Sequence, residues 1–459
     1  MSEAPHASRN LAPIIGLARS KQRWHRHPMT PSAEPSIADP PSWYAARAAS
    51  GRRHPKLRGR LRVDVAIVGG GFTGVSAALH LAERGYAVAL LEAQRIGYGA
   101  SGRNGGQVSS GQRRPVEELE AAHGAVTAST LWDLAEEAKA LVEERVARHA
   151  IACDLKPGVI EAAHKRRHLP SMRRHVEFMA ERYGYARLSF LEGEAFRERV
   201  ASPDYHGGIV DEGAFHLDPL ACLRGLADAA CAAGARLFEG SRVVRVERGA
   251  TLRLKLEGAE VEASSALIAC NGYLGDLEPA LAARILPLNN FVVATEPLGE
   301  ARARALIRDD MAVCDTRHVI DYFRLTADRR LLFGGGETYG FDFPDDIAAF
   351  VRPYVLRTFP QLADVRIDHA WGGTLGITTS RLPCFTRLAP EVLAVGGFSG
   401  HGISIGTLAG RLVAEATAGQ AERFDLMAKL APAPFPGGTR LRRPLLVLGM
   451  LWYKLRDLV

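Results

Sequence analysis

The clearest pattern of apolar and polar positions in the chain runs from Val63 to Glu92. Val63 to Val68 is an apolar run with only one acid, typical of a strand buried on both faces of a parallel sheet. Apolar residues then recur at helical spacing from Val75 to Ala82, and Gly85 is the expected end of that helix. The apolar run from Tyr86 to Leu91 predicts a second strand that stops at Glu92. The pattern predicts a strand–helix–strand unit of a parallel sheet.

Three glycines connect the first strand of this unit to its helix. Gly69, Gly71 and Gly74 have G-x-G-x-x-G spacing, which permits a tight turn, close approach of a pyrophosphate, and close packing of helix on strand. The helix N-terminus favours the phosphates, and a carboxylate at Glu92 accepts hydrogen bonds from ribose hydroxyls and repels a 2′-phosphate. The unit therefore predicts a site for an adenine dinucleotide. Its expected contacts are Gly69, Gly71, Phe72, Thr73, Gly74, Glu92 and Ala93.

The rest of the chain alternates between segments of strand and helix, like the unit above, and segments of antiparallel strands. Residues 222–244 give a helix that ends at Gly234 and then a strand. Between residues 289 and 337, apolar runs with turn residues at 326–329 predict antiparallel strands. After Trp371 a buried strand and a helix return. We predict an α/β fold in which a Rossmann-type nucleotide-binding domain is interleaved with an α+β domain that has a mixed or antiparallel sheet.

The predicted domains are discontinuous. The nucleotide-binding domain takes residues 62–112, 215–289 and 370–430, and the second domain takes residues 113–214 and 290–369. Residues 1–41 form a disordered basic tail. Residues 431–459 form a C-terminal segment, whose apolar and basic residues favour a docked helix over a helix on a membrane surface.

The positive charge of the chain is concentrated at its start. The net charge is +7, yet residues 1–60 hold 11 Lys and Arg against 3 Asp and Glu, while the remainder holds 47 against 48. A nearly neutral body argues against binding of nucleic acid. The tail lacks the apolar core of a secretory signal and has only a weak likeness to a mitochondrial targeting segment.

Length and cysteine usage restrict the class further. No apolar run reaches the roughly 18 residues that would span a bilayer, so we expect no integral membrane segment. The six cysteines show neither C-x-x-C nor zinc-ligand spacing, so we expect no metal site and reduced thiols in a cytoplasmic protein.

Two more glycine-rich segments follow the first. Arg95 to Gln107 contains five glycines, and such a loop can wrap a long polar ligand with backbone amides and add one positive charge for a diphosphate. The alternative is a solvent loop. The expected cofactor contacts in this loop are Ser101, Arg103, Asn104, Gly105, Gly106 and Gln107.

The third segment, Gly396 to Leu412, places glycines at the start of a predicted helix. Amides at a helix start point at an electron-rich group, and a flavin ring gains negative charge on reduction. His401 is expected to take part, although a hydrogen-bonded structural histidine is an equal alternative. The expected contacts here are Gly400, His401, Gly402 and Ile403.

Five separated motifs resemble those of a known family. "VGGGFTG", "GYGASGRNGGQ", "YFRLTADRRLLFGGGE", "WGGTLGITTSRLP" and "GGFSGHGISIGTLAGRL" are similar to segments of the FAD-dependent D-amino-acid oxidase and glycine oxidase family, over roughly residues 42–459. The resemblance implies FAD as cofactor, with Val244 added to its contacts, and a second domain that covers the flavin ring. It implies hydride transfer from a C–N bond to flavin N5, reoxidation by oxygen to hydrogen peroxide, and hydrolysis of the imine to aldehyde and ammonia.

The resemblance also gives expectations about the flavin linkage and the substrate. No histidine lies in the arginine loop and no cysteine lies between Trp371 and Arg381, so the FAD is expected to be non-covalent. By resemblance Arg324 binds a substrate carboxylate. Tyr322 lies on the same strand face, and Trp371 can form a wall of the pocket. The substrate is then an acidic ω-amine such as gamma-glutamylputrescine, with oxygen as the second substrate.

Several alternatives stay open at this point. Arg324 can instead pair with a nearby acid at a strand end, and Trp371 can be a core residue. The enzyme can be a D-amino-acid or sarcosine-like oxidase or dehydrogenase of the same fold, or the chain can be a flavin-binding subunit without turnover. The oligomeric state does not follow from the sequence.

Overall fold

Two β-sheets with helices packed against them organise the chain. The computed structural model describes residues 37, 39, 42–48, 51–249, 251–338, 342–439, 441 and 444, which belong to one compact unit. The predicted tail, apart from Ile37 and Asp39, and most of the predicted C-terminal helix lie outside the described residues.

The described residues form seventeen strands. They are β1 Gly59–Val68, β2 Val88–Leu91, β3 Gln107–Val108, β4 Lys156–Ala162, β5 Leu188–Glu192, β6 Gly207–His216, β7 Arg236–Phe238, β8 Val243–Glu247, β9 Leu252–Leu256, β10 Ala259–Ile268, β11 Leu286–Thr295, β12 Ala312–Asp315, β13 Tyr322–Leu325, β14 Leu331–Thr338, β15 Ile367–Ile377, β16 Cys384–Ala389 and β17 Val392–Gly396.

Twelve α-helices accompany them in the same part of the chain. They are α1 Trp43–Arg47, α2 Phe72–Ala82, α3 Val116–His123, α4 Ala125–Arg148, α5 Leu169–Tyr183, α6 Gly193–Arg197, α7 Pro219–Ala232, α8 Pro279–Ala282, α9 Glu300–Leu306, α10 Ile347–Thr358, α11 Ser404–Thr417 and α12 Glu422–Lys429.

The first sheet contains the predicted strand–helix–strand unit. Its strand order is β16-β17-β10-β1-β2-β7, in which every pair from β17 to β7 is parallel. The antiparallel strands β9 and β8 extend from β10. Helices α2, α4, α7 and α11 share one apolar core with this sheet. A Rossmann-type arrangement is thus confirmed.

The second sheet covers the carboxyl ends of the first. Its order is β15-β11-β14-β13-β12-β4-β6-β3, with β5 paired to β6, and β12–β4 is a parallel pair in an otherwise antiparallel arrangement. One face packs Phe291, Phe323 and Phe333 against α10, with the rings of Phe323 and Phe333 stacked at 5.6 Å. The other face is free to line a site.

The two sheets are interleaved along the chain, as the sequence predicts. The chain passes between them after β2, β6, β10 and β15. The predicted domain limits at 214/215, 289/290 and 369/370 fall inside β6, β11 and β15, which are all strands of the second sheet.

Helices α2 and α11 approach each other through a glycine. A Cβ at Gly410 would lie 2.5 Å from the amide nitrogen of Ala77 and 2.6 Å from Cβ of Ser76. Ser76 also donates from Oγ to the carbonyl oxygen of Thr407 at 2.6 Å. This contact allows the two helices to pack closely against each other.

We expect Gly410→Ala to destabilise the protein. The added methyl must push α11 off the backbone of α2, and overpacking of this kind costs roughly 1–3 kcal/mol. Urea or thermal unfolding measures the loss. Gly249→Ala is the matched control, because a Cβ there meets no atom within 4 Å. Equal stability of Gly410→Ala and wild type would show that the helices do not depend on this contact.

Candidate active site

A cavity of about 1200 Å³ lies where the two sheets meet. Its walls are the starts of α2 and α11, the chain between residues 100 and 119, and one face of the second sheet. This volume exceeds the roughly 300–1,000 Å³ that is usual for small-molecule sites, so the cavity can hold a large cofactor together with a substrate.

Two helix N-termini open into this cavity. The capping residues of α2 and α11, Gly71 and Ile403, provide no side-chain hydrogen bond to their helices. The first amides of a helix have no partner within it and favour an anionic ligand. One of them, the amide of Phe72, donates to Oγ of Ser101 at 3.3 Å. The predicted contacts that line the cavity are Gly71, Phe72, Thr73, Ser101, Arg103, Asn104, Gly105, Gly106, Gln107, Gly400, His401, Gly402 and Ile403.

The other predicted cofactor contacts do not line the cavity. Gly74 packs its backbone on Gly69, where any Cβ would collide with the Gly69 carbonyl oxygen. Glu92 follows β2 and accepts from the amides of Gly70 at 2.7 Å and Gln94 at 2.8 Å. Burial raises the pKa of Glu92, and these two hydrogen bonds oppose the rise. Glu92 therefore fixes the turn that precedes α2.

Two further predicted contacts of this set lie away from the cavity as well. Ala93 comes directly after Glu92 and is not part of the lining. The side chain of Val244 points outward from β8 with 57% of it exposed, whereas its neighbour Val243 is buried. The structure does not bring Val244 to the cavity, and no residue of β8 is among those that line it.

Three successive carbonyl groups of the glycine-rich loop are held by buried side chains from three different elements. Nε1 of Trp371 donates to the carbonyl oxygen of Arg103 at 2.9 Å, and the hydroxyl of Tyr44 donates to that of Asn104 at 2.7 Å. Nε of Arg324 donates to that of Gly105 at 2.7 Å. Residues 103–105 are therefore tied to α1, β13 and β15 at once.

This arrangement bears on the predictions for Arg324 and Trp371. Arg324 is 1% exposed, does not line the cavity, and also donates to the Leu325 carbonyl and the Tyr44 hydroxyl. Its predicted role as the anchor of a substrate carboxylate gains no support from this geometry, since its side chain holds the Gly105 carbonyl instead. Trp371 is likewise 1% exposed and packs edge-on against Tyr44 at 5.7 Å. Its ring belongs to the apolar core, which is the alternative to a pocket wall that the sequence left open.

The side chain of Arg103 joins this framework. Nε donates to the carbonyl oxygen of Tyr98 at 2.6 Å, and a terminal nitrogen donates to that of Gly372 at 2.8 Å. The guanidinium also lies over the Tyr98 ring, 4.5 Å from its centre. Arg103 thus fastens the loop to β15 while it forms part of the cavity wall.

Tyr322 lies in the cavity wall, as expected of a residue whose strand face lines the pocket. Its ring is sandwiched between Gly105 and Gly334, where a Cβ at either position would collide with it. Its hydroxyl donates to Oδ1 of Asn290 at 2.5 Å. Two strands and the glycine-rich loop therefore fix its position.

His401 stands at the cavity wall just before α11. Burial, together with the positive charge of Arg113, lowers the pKa of His401 to about 3, so the imidazole is neutral at physiological pH. Nδ1 is buried and has no hydrogen-bond partner among the described residues. An unsatisfied buried atom of this kind fits a ligand that completes the site.

The cavity also contains residues that sequence reasoning missed. Arg113, Glu161, Asn290 and Cys314 all line it. Glu161 stands between the apolar residues Ile160 and Ala162 of β4, and Asn290 directly precedes the apolar run of β11. These positions are the signal by which they could have been found. Arg113 and Cys314 give no comparable signal.

A Rossmann sheet whose first helix opens at a cavity covered by a mixed sheet defines an FAD-dependent oxidoreductase of the amine and amino-acid oxidase class. The chain belongs to the family described as "FAD dependent oxidoreductase", which matches residues 64–416. It is 43% identical to gamma-glutamylputrescine oxidoreductase of Escherichia coli K12 over 91% of this chain and 98% of that protein. It is also 43% identical to a probable oxidoreductase OrdL of Rhizobium meliloti, over 91% of this chain and 97% of that protein.

Solved structures agree on the fold. Glycine oxidase from Geobacillus kaustophilus superposes with a TM-score of 0.67 at 23% identity and covers 82% of this chain and all of that one. L-proline dehydrogenase from P. horikoshii superposes with a TM-score of 0.66 at 19% identity and covers 82% of this chain and 99% of that one. In the part of the chain that the structure describes, no helix is both long and apolar enough to cross a membrane.

The residues present fit FAD. The cavity is large enough, two uncapped helix N-termini face it, and the buried Nδ1 of His401 lacks a partner there. The start of α2 fits the pyrophosphate, and the start of α11 with His401 fits the flavin ring, whose reduced form carries negative charge.

We expect Arg324→Met to act on stability and not on substrate choice. The Gly105 carbonyl loses its buried donor, which costs roughly 1–3 kcal/mol, and the loop around the cavity loosens. Unfolding by urea and kcat/KM with an acidic and a neutral amine measure the effect, with both amines losing equally. Arg308→Met, which removes an exposed pair with Glu198, is the control. A loss of kcat/KM confined to the acidic amine would show instead that Arg324 takes part in substrate binding.

Proposed function

We propose that the protein oxidises the terminal C–N bond of gamma-glutamylputrescine or a similar acidic ω-amine. Oxygen is reduced to hydrogen peroxide, and water hydrolyses the imine to aldehyde and ammonia. The observation that carries the proposal is the 43% identity to gamma-glutamylputrescine oxidoreductase over 98% of that protein. The substrate is a proposal for this chain, whereas FAD-dependent oxidoreduction follows from its family.

The side chains around the cavity support such a reaction. When bound, FAD takes a hydride from the carbon beside the substrate nitrogen and passes the electrons to oxygen. We propose that the amine is oxidised in the part of the cavity that Tyr322 and His401 line. Tyr322 is held rigidly by Asn290 and two glycines, so it can orient the amine. Apolar neighbours such as Val292 and Leu375 disfavour the ammonium form, and the amine must be neutral to react.

The geometry gives less support to an α-amino acid as substrate. Such a substrate carries its carboxylate next to the reacting carbon and requires a cation there. Arg324, the cation that the sequence offered for this place, is sealed in the core. Arg324 therefore gives no support to an α-amino acid as substrate.

The test is an anaerobic reaction of the yellow holoenzyme. Gamma-glutamylputrescine should bleach the flavin absorbance, and admission of air should restore it with one equivalent of peroxide. Putrescine, sarcosine and D-alanine are compared under the same conditions. Bleaching by sarcosine or D-alanine alone would contradict the proposed substrate, and colour that returns with a quinone but not with air would indicate a dehydrogenase.

We further propose that the FAD is bound without a covalent bond. Cys314 is the cysteine that lines the cavity, and burial, with the charges of Glu161 and Asp315, raises the pKa of its thiol. A protonated thiol is a weak nucleophile. Cys384 is buried on β16, away from the cavity. The described cysteines are all free thiols, which supports a reducing compartment such as the cytoplasm.

Acid precipitation of the holoenzyme checks the linkage. A non-covalent FAD leaves a colourless pellet and a yellow supernatant, because the unfolded chain no longer binds it. The intact mass under denaturing conditions should equal that of the polypeptide alone. A mass increased by one flavin would contradict this expectation, and Cys314→Ala would then identify the attachment site.

A further inference from the structure

A row of residues crosses the second sheet along the cavity wall. In the strand register Tyr322 is opposite Cys314, Cys314 is opposite Glu161, and Glu161 is opposite Ile209. All four line the cavity. Neighbouring strands are about 4.8 Å apart, so the backbone of Glu161 lies roughly 10 Å from that of Tyr322. Glu161 therefore lies in the cavity wall two strands away from Tyr322.

Glu161 differs from the other acids of the wall. Each of the others has a hydrogen-bond partner: His175 for Glu117, Arg114 for Glu118, Tyr185 for Asp211 and Arg317 for Asp315. Glu161 makes no hydrogen bond or ion pair with any described residue, and its side chain is accessible from the cavity. The surrounding protein raises its pKa by desolvation, against the charges of His175 and Arg113.

Arg113 differs from the other arginines of the wall in the same way. Arg103 donates to carbonyl oxygens, Arg114 pairs with Glu118, and Arg317 pairs with Asp204 and Asp315. Arg381 also has a partner. Arg113 forms no hydrogen bond or ion pair within the described part of the chain. It is nevertheless close enough to lower the pKa of both Glu161 and His401.

One unpaired charge of each sign on the wall of one cavity favours a ligand that carries both charges. Neither side chain has a partner within the described protein, and a bound zwitterion supplies one to each of them. Arginine binds a carboxylate through two parallel hydrogen bonds, and a carboxylate accepts from an ammonium group. The head of an α-amino acid presents both groups on one carbon.

We propose that Arg113 and Glu161 recognise the α-carboxylate and the α-ammonium of the γ-glutamyl head of the substrate. This inference rests on the proposed function and assigns the specificity of the same site. In gamma-glutamylputrescine about eight bonds separate the oxidised carbon from the head carbon, an extended span of roughly 10 Å. That span matches the separation of Tyr322 and Glu161 across the sheet.

The test uses two analogues that each lack one charge of the head. Glutarylputrescine keeps the carboxylate and lacks the ammonium, whereas 4-aminobutanoylputrescine keeps the ammonium and lacks the carboxylate. Glu161→Gln, Arg113→Met and the wild-type holoenzyme are compared on both analogues and on gamma-glutamylputrescine, with kcat and KM determined separately. Flavin content and the flavin spectrum of each variant are measured first.

Each variant should lose efficiency only where its partner group is present. Glu161→Gln should lose roughly 10- to 150-fold in kcat/KM on the two ammonium-bearing amines and far less on glutarylputrescine. Arg113→Met should lose as much on the two carboxylate-bearing amines and far less on 4-aminobutanoylputrescine. The loss should fall mainly on KM, since the head lies away from the reacting carbon.

Arg308→Met is the control, because it removes the same charge at an exposed position away from the cavity and should keep the wild-type preference. Equal losses of a variant on all three amines, or the same pattern in Arg308→Met, would overturn the assignment of Arg113 and Glu161. Failure of gamma-glutamylputrescine to bleach the wild-type flavin would instead overturn the proposed function, and the inference with it. A spectral titration with γ-glutamylbutylamide, which keeps the head but lacks the terminal amine that is oxidised, measures head-group binding without turnover and should give the same pattern in Kd.

Discussion

The structure depends on the three hydrogen bonds that hold the backbone of residues 103–105. A glycine-rich loop can adopt many conformations, because its backbone entropy is high and it has few side chains to bury. Here Trp371, Tyr44 and Arg324 each satisfy one carbonyl from the core. Because the donors come from α1, β13 and β15, the same bonds join the loop of the first sheet to the second sheet.

Burial makes these bonds hard to exchange for water. Burial raises the pKa of Tyr44 to about 12, against the nearby charge of Arg324, so its hydroxyl stays protonated and can donate. Leaving any of the three carbonyl groups without its donor would cost about 1–3 kcal/mol. Arg324 and Trp371, which the sequence suggested for substrate binding, are thus used to shape the cavity and do not line it.

The cavity forms because the two sheets meet at the starts of α2 and α11. Gly410 allows these helices to pack closely, and their uncapped amides face one space. The second sheet covers that space with the alternate residues of its strands, whose opposite face packs on α10. Nearly all charges at this wall are paired within the protein. Arg113 and Glu161 stand out because they are not.

The sequence by itself determined the parts of the protein that depend on local spacing. The strand–glycine–helix unit, the turn at residues 326–329 and the glycine-rich start of α11 are each encoded within a few residues, so their patterns predict them. The interleaving also follows from the order of these patterns. Tertiary structure alone decided which polar residues face the cavity. Tyr322 and Arg324 share one strand face, yet only Tyr322 reaches the cavity, because the loop at Gly105 covers Arg324. Arg113 and Glu161 are 48 residues apart in the sequence and acquire a shared role only when β4 and the segment before α3 meet around one space. A pattern that spans a few residues cannot predict that two residues so far apart in the sequence line the same cavity.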